Sequence, residues 1–247
     1  MSNGTMIVKR DGTKEHLNID KIHKVVEHAC LDLAGVSSSQ IEMNANIQFY
    51  DGMSTNEIQE VLVRSANDLI SLDVPNYQYA AARLLSYSVN KMVFGEYNAI
   101  TLQQNIERNI SRNVYDAEIL EKYTEAEIAT LDSYIRHKRD ENFTYAGLRQ
   151  VVDKYLCQDR SSGEIFESPQ FMYMMIAATL FSNYPAETRM HYVRRYYDAT
   201  SLFKVNIPTP VMAGVRTPVR QFASCVLVDA DDTLDSIFAS DMSIGRY

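Results

Sequence analysis

The sequence predicts a mainly α-helical α+β chain that opens on a β-hairpin and closes on a short β-rich region. Three observations carry this. Met6-Ile7-Val8-Lys9-Arg10 and the run from Thr13 to Ile19 flank Asp11-Gly12, a dipeptide that accepts the positive φ angles of a tight two-residue hairpin turn. From Asp20 to Tyr197, apolar residues recur at helical spacing behind Ser, Thr and Pro start signals. After residue 205 that period stops. Pro208, Pro210 and Pro218 fall within eleven residues, and Gln221-Phe222-Ala223-Ser224-Cys225-Val226-Leu227-Val228 follows as a strand buried by composition.

The first helix follows Asp20, with Ile22, Val25, Val26, Ala29, Leu31 and Leu33 along it. A second is expected from Ser39, with Glu42 three residues later as its capping-box partner. Ser54-Thr55-Asn56-Glu57 repeats that signal ahead of Ile58, Val61, Leu62, Ala66, Leu69 and Ile70, and this third helix should end near Asp73. Pro75 suits a fourth start, and Tyr79, Ala82, Leu85, Tyr87 and Val93 lead to a stop at Gly95. Residues 5–95 therefore read as one unit, a hairpin plus four helices.

Residues 101–155 read as helices broken near Thr124, where Thr124-Glu125-Ala126-Glu127 is a further capping box before Ile128, Leu131 and Ile135. Tyr155-Leu156-Cys157 and Glu164-Ile165-Phe166-Glu167 flank a polar stretch, 158–163, as a hairpin near 155–167 whose loop is too long for a two-residue turn. Ser168-Pro169 then starts a helix from Phe171 to Phe181 that is apolar all round and must be buried. Its methionines fill core space better than they would hold a metal. The helix from Pro185 to Tyr197 carries Arg194 and Arg195 among tyrosines, an arrangement that suits surface ion pairs better than base stacking because no basic stripe extends from it. A helical unit thus covers 96–205. In the remainder, 206–247, the prolines hold 206–218 in extended and turn conformations, and the acidic run after Val228 is a loop leading into a helix.

Composition bounds the function. The 247 residues carry a net charge of −8 with 46% hydrophobic and 23% charged residues, the balance of an ordinary globular chain. Such acidity argues against non-specific nucleic-acid binding, so any phosphate site must be local. No stretch approaches the roughly 18–20 apolar residues of a membrane span, and a cytoplasmic chain with no membrane partner is expected. Cys30, Cys157 and Cys225 are too far apart for a zinc cluster, and no metal is expected on this chain. Neither a Walker loop nor GxGxxG occurs. Lys9, Arg10, Lys14, Lys21 and Lys24 gather on the hairpin and the next helix, where they could hold polyphosphate or merely guard a solvated strand edge. Thr209 could bond a ligand or cap its own turn. Cys157 reads as a packed strand residue, and Cys225, within an apolar strand, reads on its own as a core cysteine.

The run Val8-Lys9-Arg10-Asp11-Gly12, then Glu15, Asn18, Asp20-Lys21-Ile22, Thr55 and Lys91, resembles the ATP-cone, the regulatory nucleotide-binding domain of many ribonucleotide reductase large subunits. The resemblance implies that ATP and dATP compete at a site built from Lys9, Arg10, Glu15, Asn18, Lys21, Ile22, Thr55 and Lys91. Lys9, Lys21 and Lys91 would meet phosphates, Glu15 and Asn18 the nucleoside, and Thr55 an anionic oxygen at a helix start. Gln59 stands where the related enzymes often have His.

Pro208-Thr209-Pro210, Gly214-Val215-Arg216-Thr217 and Ser224-Cys225-Val226-Leu227 are in turn similar to the segment where the ten-stranded α/β barrel of the aerobic, diphosphate-using reductases begins. By this resemblance 206–247 is the opening of that barrel, incomplete in this chain. Thr209, Ser224 and Cys225 would contact a ribonucleoside diphosphate, and Cys225 would be one of two reducing thiols, with its partner cysteine absent from the chain. Asp232, Thr233 and Leu234 would help form the site for a dNTP specificity effector. The family chemistry generates a 3′-radical, expels the 2′-oxygen as water and draws two electrons from a dithiol that becomes a disulfide. The resemblance therefore implies partners: the C-terminal remainder of the large subunit, a radical-generating small subunit with a metal cofactor, and thioredoxin or glutaredoxin. The chain alone is expected to be inactive, either a split subunit or a truncated one. The rival reading is a stand-alone ATP/dATP-sensing regulatory protein built on an ATP-cone, against which the acidic charge and the lack of a zinc ribbon count.

Overall fold

In the computed structural model, which describes residues 4–247, β1 (Met6–Val8) and β2 (Lys14–His16) pair antiparallel with Ile7 opposite Glu15. The turn between them is longer than the two-residue turn expected. Lys9 N–H donates to Thr13 at 2.8 Å, and only Gly12 takes a positive φ. Asp11 Oδ1 instead accepts from the backbone and hydroxyl of Thr13, so the side chain shapes the loop. A third strand, β3 (Met53–Ser54), lies parallel to β1 and gives the order β2-β1-β3. Its two residues are too short to show a strand period in sequence.

Four helices complete this unit. α1 (Ile19–Cys30) is capped by Asn18, whose Oδ1 accepts from Lys21 N–H at 3.0 Å. α2 (Ser38–Asn46) starts from Ser37 rather than Ser39, and Glu42 pairs with His23 Nδ1 at 2.8 Å instead of capping. α3 (Thr55–Asn67) has the expected Ser54–Glu57 capping box but stops short of Asp73, because Leu69 and Ile70 close three-residue turns onto Ala66 and Asn67. α4 (Tyr77–Phe94) ends on Gly95 at φ +79°, a left-handed cap that glycine adopts without a Cβ penalty.

The second half is helical: α5 (Leu102–Ser111), α6 (Glu118–Lys122), α7 (Glu125–Tyr134), a 3-10 helix over His137–Asn142 and α8 (Tyr145–Lys154). The hairpin β4 (Gln158–Asp159) and β5 (Glu164–Ile165) then leads through Ser168 and Pro169 into α9 (Pro169–Leu180). As the sequence requires, every residue from 169 to 178 in α9 is buried. α10 (Ala186–Ser201) packs on α9, while α4 packs on α1 and α3 with one side and on α8 and the 3-10 helix with another. One hydrophobic core consequently runs through both halves. No helix is long and apolar enough to cross a membrane among the described residues.

The end of the chain departs from expectation. Residues 209–214 form α11 (Thr209–Gly214) rather than an extended loop, with Pro210 in its first turn, where a missing N–H costs nothing. The segment 222–228 is not a buried strand: it forms no ladder, and Phe222, Val226 and Leu227 are exposed. A parallel barrel strand takes its hydrogen bonds and the cover of both faces from neighbouring strands. Among the described residues no strand lies beside it, and no barrel opening is seen. α12 (Leu234–Arg246), capped by Thr233, then follows the acidic loop.

A buried ion pair locks the segment after α11 to the helical half. Arg216 and Glu167 have wholly buried side chains, and the guanidinium grips both carboxylate oxygens. Arg216 also donates to the carbonyls of Met212 and Tyr155, while Glu167 accepts from Tyr115 Oη and from Cys157 N–H at 2.7 Å. Burial, the largest single effect, lowers the Arg216 pKa, but the charge and hydrogen bonds of Glu167 together with the neighbouring Cys157 and Tyr115 outweigh it and raise it. Nearby, burial drives the Asp140 carboxyl from 3.8 up to about 7, against the pull of a Gln170 Nε2 hydrogen bond at 2.8 Å.

Two stability outcomes follow. Arg216→Met strands a buried carboxylate and should cost about 3–5 kcal/mol, with much of that recovered in the Arg216→Met/Glu167→Leu double variant; urea titrations of all three proteins measure this. Asp140, raised when folded, contributes stability that is full below 3.8 and lost as pH rises through about 7. Asp140→Asn should therefore melt close to the parent at pH 4 and clearly above it at pH 8.

Candidate functional site

The hairpin, α1, α3 and the end of α4 enclose a cleft of about 410 Å3, within the size range of small-molecule sites. All eight residues expected to hold a nucleotide, Lys9, Arg10, Glu15, Asn18, Lys21, Ile22, Thr55 and Lys91, line it. Each arrives by a local cause. The turn projects Lys9 and Arg10, the Asn18 cap starts α1 so that Lys21 and Ile22 follow in its first turn, and the Ser54 capping box sets Thr55 at the head of α3. Ile7, Leu17, Val25, Ile58 and Leu62 supply apolar walls.

The electrostatics invert those of the whole chain. Four cations, Lys9, Arg10, Lys21 and Lys91, face two carboxylates, Asp11 and Glu15, in a molecule of net charge −8. Lys9 Nζ lies 2.7 Å and Lys21 Nζ 3.7 Å from Glu15. The hydrogen bond from Lys9 holds the Glu15 carboxyl below its usual range, and Glu15 raises Lys9 in return. Arg10 Nε donates to Asn56 Oδ1 at 2.8 Å, and partial burial lowers its pKa. Lys91 Nζ sits 4.3 Å from the centre of the Tyr97 ring, a cation–π contact. A cleft with clustered ammonium and guanidinium groups on apolar walls beside an aromatic ring can hold a polyphosphate that carries a flat apolar group.

Sequence reasoning missed Tyr97 and Ser88, which line the same cleft from beyond and within α4. Tyr97 had a signal, a lone aromatic just past the Gly95 stop; Ser88 had none. Gln59 also faces the cleft, yet its Nε2 donates to Leu84 O at 2.9 Å and ties α3 to α4. A larger neighbouring cavity of about 650 Å3 shares Val25 and Tyr97 but includes Asp140 and Glu141 in its wall.

The other expected residues are not gathered. Thr209 heads α11, with its hydroxyl 3.2 Å from Tyr155 Oη. Ser224 Oγ and Cys225 Sγ lie 3.8 Å apart on the exposed segment, and no hydrogen bond joins either to Thr209. Thr233 caps α12 by accepting from Ser236 N–H at 3.2 Å, Asp232 is exposed before it, and Leu234 is exposed behind it. Cys157 is buried as expected, with its thiol pushed up by burial, and burial raises half-buried Cys30 to about 11. Arg194 packs on the Tyr134 ring at 4.9 Å and lies 4.0 Å from Asp198. Among the described residues, no three His, Cys, Asp or Glu side chains cluster as a metal site.

Two family models match the chain: the ATP cone domain over residues 5–92, and the ribonucleotide reductase all-alpha domain over residues 141–220. Ribonucleoside-diphosphate reductase 1 subunit alpha from Salmonella typhimurium is 49% identical over 247 residues, which is 100% of this chain and 32% of that protein. The protein of the same name from Escherichia coli is 48% identical over the same shares. Ribonucleoside-diphosphate reductase subunit alpha of phage T4 is 40% identical over 243 residues, 98% of this chain and 32% of its own. The chain thus spans about a third of the length of these relatives, their N-terminal third.

Because the Lys9–Glu15 pair is open to solvent, it should matter little to folding. Lys9→Ala is expected to leave the melting temperature unchanged within about 2 °C, as read by circular dichroism, so that any loss of ligand binding in that variant is a loss at the site.

Proposed function

We infer that this chain, an ATP cone joined to the all-alpha domain of a ribonucleotide reductase, is the N-terminal part of a ribonucleoside-diphosphate reductase large subunit working in the cytoplasm. Its cleft binds ATP or dATP as an allosteric effector. The observation that carries the reading is the convergence of Lys9, Arg10, Lys21 and Lys91 in one cleft of an acidic chain. In this arrangement Lys9, Lys21 and Lys91 hold the phosphates, Glu15 and Asn18 orient the nucleoside, and Thr55 meets an anionic oxygen at the head of α3.

The division of labour follows the domains: an ATP-cone over 5–95, a helical domain over 96–205, and the start of the reductase barrel over 206–247. Thr209, Ser224 and Cys225 meet the ribonucleoside diphosphate, and Asp232, Thr233 and Leu234 meet a dNTP that selects the base. Cys225, whose side chain is exposed, gives up one of the two thiols that become a disulfide as the 2′-oxygen leaves as water. Cys157 is buried and Cys30 half-buried, and neither suits the second thiol. That thiol, the rest of the barrel and the radical-bearing cysteine belong to the two-thirds of the relatives' length that this chain does not span. The metal-containing radical subunit and thioredoxin or glutaredoxin are the remaining partners.

Calorimetric titration tests the regulatory site. ATP and dATP should bind with one-to-one competition, and Lys9→Ala or Lys21→Ala should each weaken binding by about tenfold or more, the size of one lost charge-assisted contact. Stoichiometric binding that survives both substitutions together would refute the assignment.

A further inference from the structure

We propose that Arg108 couples the cleft to the segment carrying Thr209, acting as a positioning residue between the end of α4 and the buried Glu167–Arg216 pair. The proposal rests on the reading of the cleft as a nucleotide site. Lys91 and Gly95, in and just after the last turn of α4, line that cleft. Between them lies Val93, whose carbonyl accepts from Arg108 Nη1 at 2.6 Å. The other arm of the same guanidinium, Nη2, donates to Phe166 O at 3.2 Å. Phe166 adjoins Glu167, and Glu167 holds Arg216, which grips the Met212 carbonyl within α11. One planar fork therefore bridges the helix end beside the cleft to the segment between β5 and α9 that anchors α11.

Two features make this bridge able to change state. Lys91 rests on the Tyr97 ring and has no carboxylate partner among the described ion pairs, so a polyphosphate in the cleft draws it off the ring and pulls on the turn that contains Val93. The bridge itself is under-satisfied: Arg108 Nε and Asn109 Oδ1 are buried without a hydrogen-bond partner among the described residues. Buried donors and acceptors left unused mark where this network has room to re-pair, and the proposal takes that re-pairing as the two-state element that coupling requires. Nucleotide in the cleft thus shifts Arg108 between arrangements, and Phe166 and Glu167 pass that shift to α11.

Hydrogen exchange read by mass spectrometry tests this on the chain as it stands. Saturating ATP, with binding verified by calorimetry, should change exchange across 209–217 by about fivefold or more. Arg108→Lys keeps the charge but offers a single nitrogen that cannot hold Val93 and Phe166 at once. It should bind ATP within about threefold of the parent yet lose the response at 209–217. Unchanged exchange in the parent at saturating ATP overturns the coupling, as does an Arg108→Lys variant that responds like the parent. The parent measurement stands even if the variant folds poorly. No ATP binding at all overturns the nucleotide reading together with this one, whereas binding without a response overturns the coupling alone.

Discussion

A guanidinium and a carboxylate, both wholly out of water, fix the relation between the helical half and the chain that leaves it. Arg216 lies just beyond α11 and Glu167 just before α9, so their pairing decides where α11 sits. Neither charge could stay buried alone. The surrounding donors and acceptors, Tyr115, Cys157 N–H and the Met212 and Tyr155 carbonyls, exist in this arrangement because the pair demands them. The hairpin at 158–165, too small to be stable by itself, is held in place by the same requirement.

The long helix α4 gives the molecule its second constraint. It is walled by α1 and α3 and by α8 and the 3-10 helix. Small residues, Ala80, Ala81 and Ala82, are fully buried along it and let neighbours approach closely. Its end, at the Gly95 cap, is at once the rim of the cleft and the start of the helical half. A cleft and a helical half that share one helix share its displacements.

Much of this was legible in the sequence, and the failures have physical reasons. Capping boxes at Ser54 and Thr124 and the Ser168-Pro169 start marked real helices because their signals are local. The cleft residues were legible through resemblance, since charge alone left Lys9 and Lys21 open to a solvated-edge reading. What failed depended on distant partners. β3 needed β1 to become a strand, Glu42 preferred His23 from another helix, and 222–228 reads as a buried strand only when neighbours cover it. The Arg216–Glu167 pair was invisible for the same reason: 49 residues separate the two charges, and nothing in either neighbourhood announces the other.

Glu15, held between Lys9 and Lys21, gives the cleft a property beyond simple attraction. It is an internal rival for the same ammonium groups that a phosphate must recruit. A ligand with a single phosphate offers these lysines little that the resident carboxylate does not already supply, whereas a triphosphate offers several oxygens at once and can engage Lys9, Lys21 and Lys91 together. On the nucleotide reading, the cleft therefore favours the more highly phosphorylated ligand, and one half-buried glutamate sets how strongly.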